Sequence, residues 1–204
     1  MADQPTAAER FMRGILPENP IYRQLLGLCP ALAVTGNLKS ALTMAGAVLF
    51  VAICASIMIS SIRNLLKPHL RIVVFTITIA TFVTIVDRLL AAYMYDMSKV
   101  LGPYIPLIMV NCVIFCRSEV CASQNSIPVA VTDAAGQALG FGVGLASIAI
   151  VREILSAGAI FGVSVLPAAW PDWVIMALPP GAFLIFGVLL ATVNWFTSRK
   201  KLLT

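Results

Sequence analysis

The stretch Ala41–Ile62, ALTMAGAVLFVAICASIMISSI, decides the fold class, because its 22 residues carry no charge. About 20 apolar residues in a helix cross the hydrocarbon core of a bilayer. Three further runs repeat the signal. Ile72–Val86 adds 15 uncharged residues and can continue through Asp87 and Arg88 to Tyr95, Ala134–Val151 adds 18, and Trp173–Phe196 adds 24. All four read as transmembrane helices. The composition agrees: of 204 residues 60% are apolar and 11% charged, against about 25% charged in a soluble domain. Mean hydropathy is +0.95. So few charges do not cover a water-soluble globule, and such apolarity excludes disorder. The pI is near 9.1, but the Lys and Arg residues form no continuous stripe, which argues against a nucleic-acid partner. At roughly 20 residues per span, the chain holds about six spans.

Two apolar segments are weaker than the rest. Leu25–Leu38 is interrupted by Gly27, Pro30 and Gly36, and Val100–Cys116 by Gly102, Pro103 and Pro106. Glycine and proline weaken or break the helical ladder, and irregular backbone in a bilayer needs shielding by protein or a polar cavity. These segments stand first and fourth of the six. The expected fold is therefore an all-α membrane protein with six transmembrane helices in a 3+3 inverted repeat, its first and fourth helices broken. The expected organisation is an N-terminal cytoplasmic segment (1–20), one membrane domain (21–198) with halves of about 21–98 and 99–198, and a basic cytoplasmic tail (199–204). Ser61-Ile62-Arg63-Asn64-Leu65-Leu66 and Val151-Arg152-Glu153-Ile154-Leu155 echo one another at the ends of matching helices.

Orientation follows from the basic residues. With an internal N-terminus, Arg10, Arg13, Arg23, Arg63, Lys67, Arg71, Arg117, Arg199, Lys200 and Lys201 are cytoplasmic. Lys39, Arg88, Lys99 and Arg152 are external. Both termini are thus expected in the cytoplasm, with Trp170, Trp173 and Trp195 as interfacial anchors of the last span. Ala31-Leu32-Ala33 looks like a signal-peptide cleavage site, and Cys29 invites a lipoprotein reading. Gly27, Pro30 and five following spans argue for an uncleaved segment.

Cysteine is the residue type most open to chemistry here. Cys54, beside Ala52 and Ala55 in an uninterrupted span, reads as a small packing residue. Cys112 and Cys116 share a helical face, but with Cys121 they match no trusted metal signature; Cys116 and Cys121 read as packing or loop residues. Cys29 and Cys112 sit inside the two broken segments, at matching places in the proposed repeat. On pattern alone, packing is the simpler reading of this pair too. The alternative is a metal or iron–sulfur cluster, which would compensate two thiolates that hydrocarbon otherwise disfavours. Two cysteines do not complete a four-thiolate cluster, so other cysteines or a partner chain must join.

The other polar residues have plain readings. Asp87, Arg88 and Asp133 read as interfacial, and His69 as solvent-exposed. Thr78, Thr81 and Thr84 read as hydroxyls satisfied by carbonyls one turn back, rather than as an ion path. Gly136, Gly140, Gly142 and Gly144 read as close helix packing. No phosphate loop, histidine pair or nucleophile elbow is present in the sequence.

Several stretches carry a family resemblance: Gln24-Leu-Leu-Gly-Leu-Cys-Pro-Ala-Leu-Ala-Val-Thr35, Pro106-Leu-Ile-Met-Val-Asn-Cys112, Arg117-Ser-Glu119, Arg152-Glu153-Ile154 and Leu178-Pro-Pro-Gly-Ala-Phe183. Across nearly its whole length the chain resembles the Rnf/Nqr membrane subunits. These include the E subunit of the Rnf ferredoxin:NAD⁺ oxidoreductase and the D subunit of the sodium-pumping NADH:quinone reductase. Pro-Pro-Gly-Ala-Phe and Ile105-Pro-Leu-Ile look more like the Rnf branch. Val86-Asp87 and Tyr95-Asp96-Met97-Ser98-Lys99 look more like the quinone-reductase branch. Cys116 and Cys121 depart from the family pattern, as does the short connection from Ile154 to Trp173.

The resemblance implies a bacterial cytoplasmic membrane location and a homologous six-helix partner of opposite orientation, of the A type in Rnf complexes. It implies further Rnf subunits (B, C, D and G types) with flavins and Fe–S clusters, and a [2Fe–2S] cluster shared by the pair. Cys29 and Cys112 match the two ligand positions. The expected function is electron conduction across the membrane between ferredoxin and NAD(H), as one component of an ion-translocating (Na⁺ or H⁺) complex, with no complete active site in this chain. The expected coupling, in which cluster charge biases which way the repeats open, rests on the repeat alone. Two rivals remain: a small secondary transporter without a redox centre, and an assembly scaffold.

Overall fold

The uncharged run at Ala41–Ile62 becomes the core of one long helix. The computed structural model describes residues 7–15, 17–64, 68–160, 163–164 and 174–202. In chain order these form α1 (Ala7–Ile15), α2 (Leu28–Val34), α3 (Leu38–Ile62), a 3₁₀ turn (Pro68–Leu70), α4 (Arg71–Tyr93), α5 (Tyr95–Leu101), α6 (Pro106–Met109) and α7 (Cys112–Arg117). A π-helical turn (Ser118–Ala122) extends α7; then come α8 (Ile127–Ala157), a hairpin of β1 (Ala159–Ile160) and β2 (Val163–Ser164), α9 (Val174–Ala177) and α10 (Pro179–Leu202). The two strands pair antiparallel, Ala159 with Ser164 and Ile160 with Val163.

Three described helices are long and apolar enough to cross a membrane: Leu38–Ile62, Arg71–Tyr93 and Ile127–Ser156. A fourth crossing results if the bent pair Tyr95–Leu101 and Pro106–Ala122, inclined at 65°, counts as one. The protein is therefore a helical, multi-pass membrane protein. Its spine is the pairing of α3 with α8, where Met44, Val48 and Ala55 meet Phe141, Leu145 and Ile148, all fully buried. Phe75 and Ile79 bring α4 onto the same core. On the outside, Ile72, Val73 and Ile77 of α4 and Phe183, Leu184 and Val188 of α10 stay exposed, as on a surface facing lipid or another protein rather than water.

The sequence expectations fare unevenly. Both weak segments are broken: Leu25–Leu38 yields only the seven-residue α2, and Val100–Cys116 is divided among α5, α6 and α7. The last span needs correction. Trp173–Phe196 reads as one run, but the structure interrupts it at Leu178 between α9 and α10, because Pro179 and Pro180 supply no N–H to the ladder. Trp170 and Trp173 lie outside the described residues. Residues 7–15, within the expected N-terminal segment, form a docked helix. Helix α1 lies against α8 with almost no space between backbones: a Cβ on Gly136 would sit 2.7 Å from the Phe11 carbonyl oxygen, and one on Gly14 2.7 Å from the Gly136 carbonyl carbon. The glycine row of α8 is thus close packing, as its sequence predicts.

Candidate functional site

The two candidate cysteines stand at the starts of two short helices. Cys29 is the second residue of α2 and Cys112 the first of α7. Helix α2 starts after an unusual turn in which Leu25 (φ 55°) and Gly27 (φ 75°) adopt the left-handed conformation. Glycine is needed at the second position: besides its φ, a Cβ there would lie 2.5 Å from the Phe141 ring and 3.1 Å from Val113 Cγ2. The turn aims the Gly27 N–H at the other cysteine, and this N–H donates to Cys112 Sγ over 2.8 Å. Helix α7 starts at Asn111, whose Oδ1 accepts from the Val113 N–H at 3.0 Å, a standard N-cap.

The structure therefore ties Cys112 to a residue two positions before Cys29, across 85 residues of sequence. Cys29 is exposed and Cys112 half-buried. Among the described residues, no group of three or more His, Cys, Asp or Glu side chains forms a metal site. The two cysteines, one receiving a peptide N–H and the other exposed, make a soft sulfur donor pair of the kind that iron–sulfur clusters take. A pocket of about 510 Å³ between α4 and α7 adjoins it, with Cys112 and Cys116 in its wall and the Arg71–Glu119 pair, 3.5 Å apart, also lining it. Cys116 is thus a neighbour of Cys112, whereas Cys121 is buried beside Asn125, with Asn125 Nδ2 3.6 Å from its Sγ. Cys54 is half-buried on α3.

Helix α2 is held at its far end by two adjacent residues of α8. Arg152 Nη1 donates to Leu32 O and to Thr35 Oγ1, each at 3.1 Å, and its Nε donates to Met176 O at 2.9 Å. Glu153 Oε2 accepts the Leu38 N–H, the first of α3, at 2.8 Å. A cation therefore closes the C-terminus of α2 and an anion the N-terminus of α3, each matching its helix dipole. Arg152 is thereby only 3% exposed. Asp133 lies within α8 and not in its first turn. Helix α8 begins six residues earlier, at Ile127, and Asp133 is buried within 3.7 Å of Arg117, which also reaches Glu18 at 3.7 Å. Asp87 is half-buried, and Arg88 and His69 are exposed. Gly27, Asn111, Arg152 and Glu153 are the residues that sequence reasoning passed over. Asn before a helix start is a capping signal, and a charged pair closing an apolar run is a candidate by its cost alone.

The sequence pattern of the family described as "Rnf-Nqr subunit, membrane protein" matches residues 7–190. The chain belongs to the Rnf-Nqr subunit family. Among Rnf-Nqr relatives it is 43% identical, over 94% of its length and 97% of theirs, to the E subunit of the Na⁺-translocating ferredoxin:NAD⁺ oxidoreductase complex of Acetobacterium woodii. It is 40% identical, over 94% of its length and 90% of the relative's, to the E subunit of the proton-translocating ferredoxin:NAD⁺ oxidoreductase complex of Clostridium ljungdahlii. Identity to the D subunit of the Na⁺-translocating NADH-quinone reductase of Pseudomonas aeruginosa is 39%, over 93% of this chain and 87% of that one.

Proposed function

We propose that this protein is the E-type membrane component of an ion-translocating ferredoxin:NAD⁺ oxidoreductase. In this reading Cys29 and Cys112 hold half of a [2Fe–2S] cluster, and a homologous six-helix protein of opposite orientation supplies the other two thiolates. The observation that carries the reading is the contact between the cysteine-bearing turns, with the Gly27 N–H on Cys112 Sγ beside the exposed Cys29. When bound, such a cluster supplies a one-electron carrier within the membrane. The chain's own residues prepare its seat. The Gly27 N–H stabilises negative charge on Cys112 Sγ, and a hydrogen bond to a ligand sulfur is one of the levers on cluster potential. Asn111 fixes the start of α7, and Arg152 fixes the end of α2. Residues 21–198 form one membrane domain of the bacterial cytoplasmic membrane with both termini inside.

The 3+3 inverted repeat belongs to the same proposal, with α2, α3 and α4 matching α7, α8 and α10. Each short helix starts at or next to a candidate cysteine. Each also ends against the long helix of the other half: Arg152 of α8 bonds Leu32 O at the end of α2, and Ser60 Oγ of α3 donates to Asn125 O (2.9 Å) just after α7 and its π turn.

The test uses the assembled complex. Cys29→Ala and Cys112→Ala should each remove the cluster's visible absorbance and its share of the iron, and abolish ferredoxin-to-NAD⁺ electron transfer. Normal iron content and turnover in either variant overturns the cluster role. An iron-free, colourless wild-type preparation stabilised by a transported solute would instead establish the secondary-transporter reading. The similarity to the D component of the NADH-quinone reductase favours that complex as second reading, and the two differ in which proteins co-purify.

A further inference from the structure

Between α3, α7 and α8 lies a small space, lined largely by apolar side chains such as Val48, Ala52, Val113 and Ile114. Two strongly polar side chains also line it, Gln137 and Arg117. Gln137 is 1% exposed, and neither its Oε1 nor its Nε2 has a hydrogen-bond partner. Arg117 Nε is buried and likewise unpartnered. Buried amides and guanidinium N–H groups are rarely left unsatisfied, and ordered water is the usual remedy. The volume open to the centre of a water-sized sphere is about 10 Å³, and one water needs about 10–15 Å³ by that measure.

The donor set selects the occupant. Gln137 Oε1 needs a donor, while Gln137 Nε2 and Arg117 Nε need an acceptor. Water is both. A metal cation would face the Arg117 guanidinium, and an anion would leave Oε1 unsatisfied. We propose that this space is a resident-water site held by Gln137 and Arg117. The site extends an existing joint: the Arg117 guanidinium already reaches Glu18, after α1, and Asp133, on α8. Gln137 lies one turn beyond Asp133 on the same helix, so the water ties the inner end of the Cys112 helix to a second turn of α8. The inference does not depend on the cluster reading.

Two measurements on the intact purified complex test it. A cryo-electron microscopy map that resolves ordered water should show a peak within about 2.7–3.2 Å of the Gln137 amide and Arg117 Nε, absent from the Gln137→Leu complex. Hydroxyl-radical footprinting should label Val113 or Ile114, each 3% exposed, several-fold above the equally buried but distant Ile79, and Gln137→Leu should abolish the excess. An empty space, a Gln137 amide bonded directly to Arg117, metal-type coordination, or labelling no greater than at Ile79 overturns the proposal.

Discussion

Gly27 carries two constraints at once, a left-handed φ and contact with the Phe141 ring. An alanine there costs about 1–2 kcal/mol for the backbone alone, and the displaced turn withdraws the N–H from Cys112. Gly27→Ala should therefore lower both the thermal midpoint and the iron content of the complex. Gly36→Ala, a few residues away with nothing within 4 Å of the added Cβ, should change neither. Quantifying iron and unfolding temperature for both variants separates a local strain effect from general sensitivity. The threonines of α4 make the opposite prediction. Thr78, Thr81 and Thr84 each donate to the carbonyl one turn back, at 2.8–2.9 Å, so none has a free hydroxyl proton to offer elsewhere. Ion-uptake assays on vesicles carrying Thr81→Val or Thr84→Val should match wild type within error; a loss of transport in either variant would restore the ion-path reading. The threonine pattern was legible in the sequence because its partners are four residues away. The Gly27–Cys112 bond was not, since no local rule pairs residues separated by 85 positions.

At the scale of elements, α2 is too short to be stable alone. Isolated helices below about 12–15 residues are marginal, and in seven residues tertiary contacts must do the holding. Arg152 provides them at the end of α2, and Glu153 anchors the start of α3 beside it. Removing either leaves buried groups without partners, at about 1–3 kcal/mol for each. Arg152→Leu and Glu153→Ala should both reduce the yield of assembled complex and lower its unfolding temperature, and Arg152→Lys should recover Arg152→Leu only partly, because an ammonium lacks the planar fork that spans Leu32, Thr35 and Met176. Equal stability of Arg152→Leu and wild type would remove the capping role. Sequence reading located α3 and α4 within a few residues, because an uncharged run of this length has little alternative, but it cut α8 short at both ends, where Asp133 and Arg152 bound the uncharged run. It missed the break at Leu178 by weighing charge above Pro179-Pro180, and it did not find the partners of Arg152. Whether a charge is buried depends on which distant groups meet it, and those partners lie 24 to 120 residues away.

For the whole molecule, the proposed reading makes the chain half a site, with the exposed Cys29 open to ligands from a partner. Expressed alone in a membrane host, it should carry less than a tenth of the iron found per copy after co-expression with its homologous partner, measured by atomic absorption on purified material. Equal iron in both preparations would mean that this chain completes the site itself. That two cysteines do not complete a four-thiolate cluster was legible in the sequence. What was not visible is that residues 7–15 belong to the folded body. Their docking depends on backbone contact at Gly14 and Gly136, and glycine announces only that room exists, not what fills it.

The double clamp at Arg152 and Glu153 also sets an order of events during synthesis. The ends it closes, at Leu32 and Leu38, leave the ribosome well over a hundred residues before the side chains that close them. The cysteine of α2 therefore enters the membrane on an unfinished segment. It gains its first long-range anchor when Cys112 emerges, and its final one only when α8 is nearly complete. On the proposed cluster reading, that seat is assembled last, after most of the chain has been made.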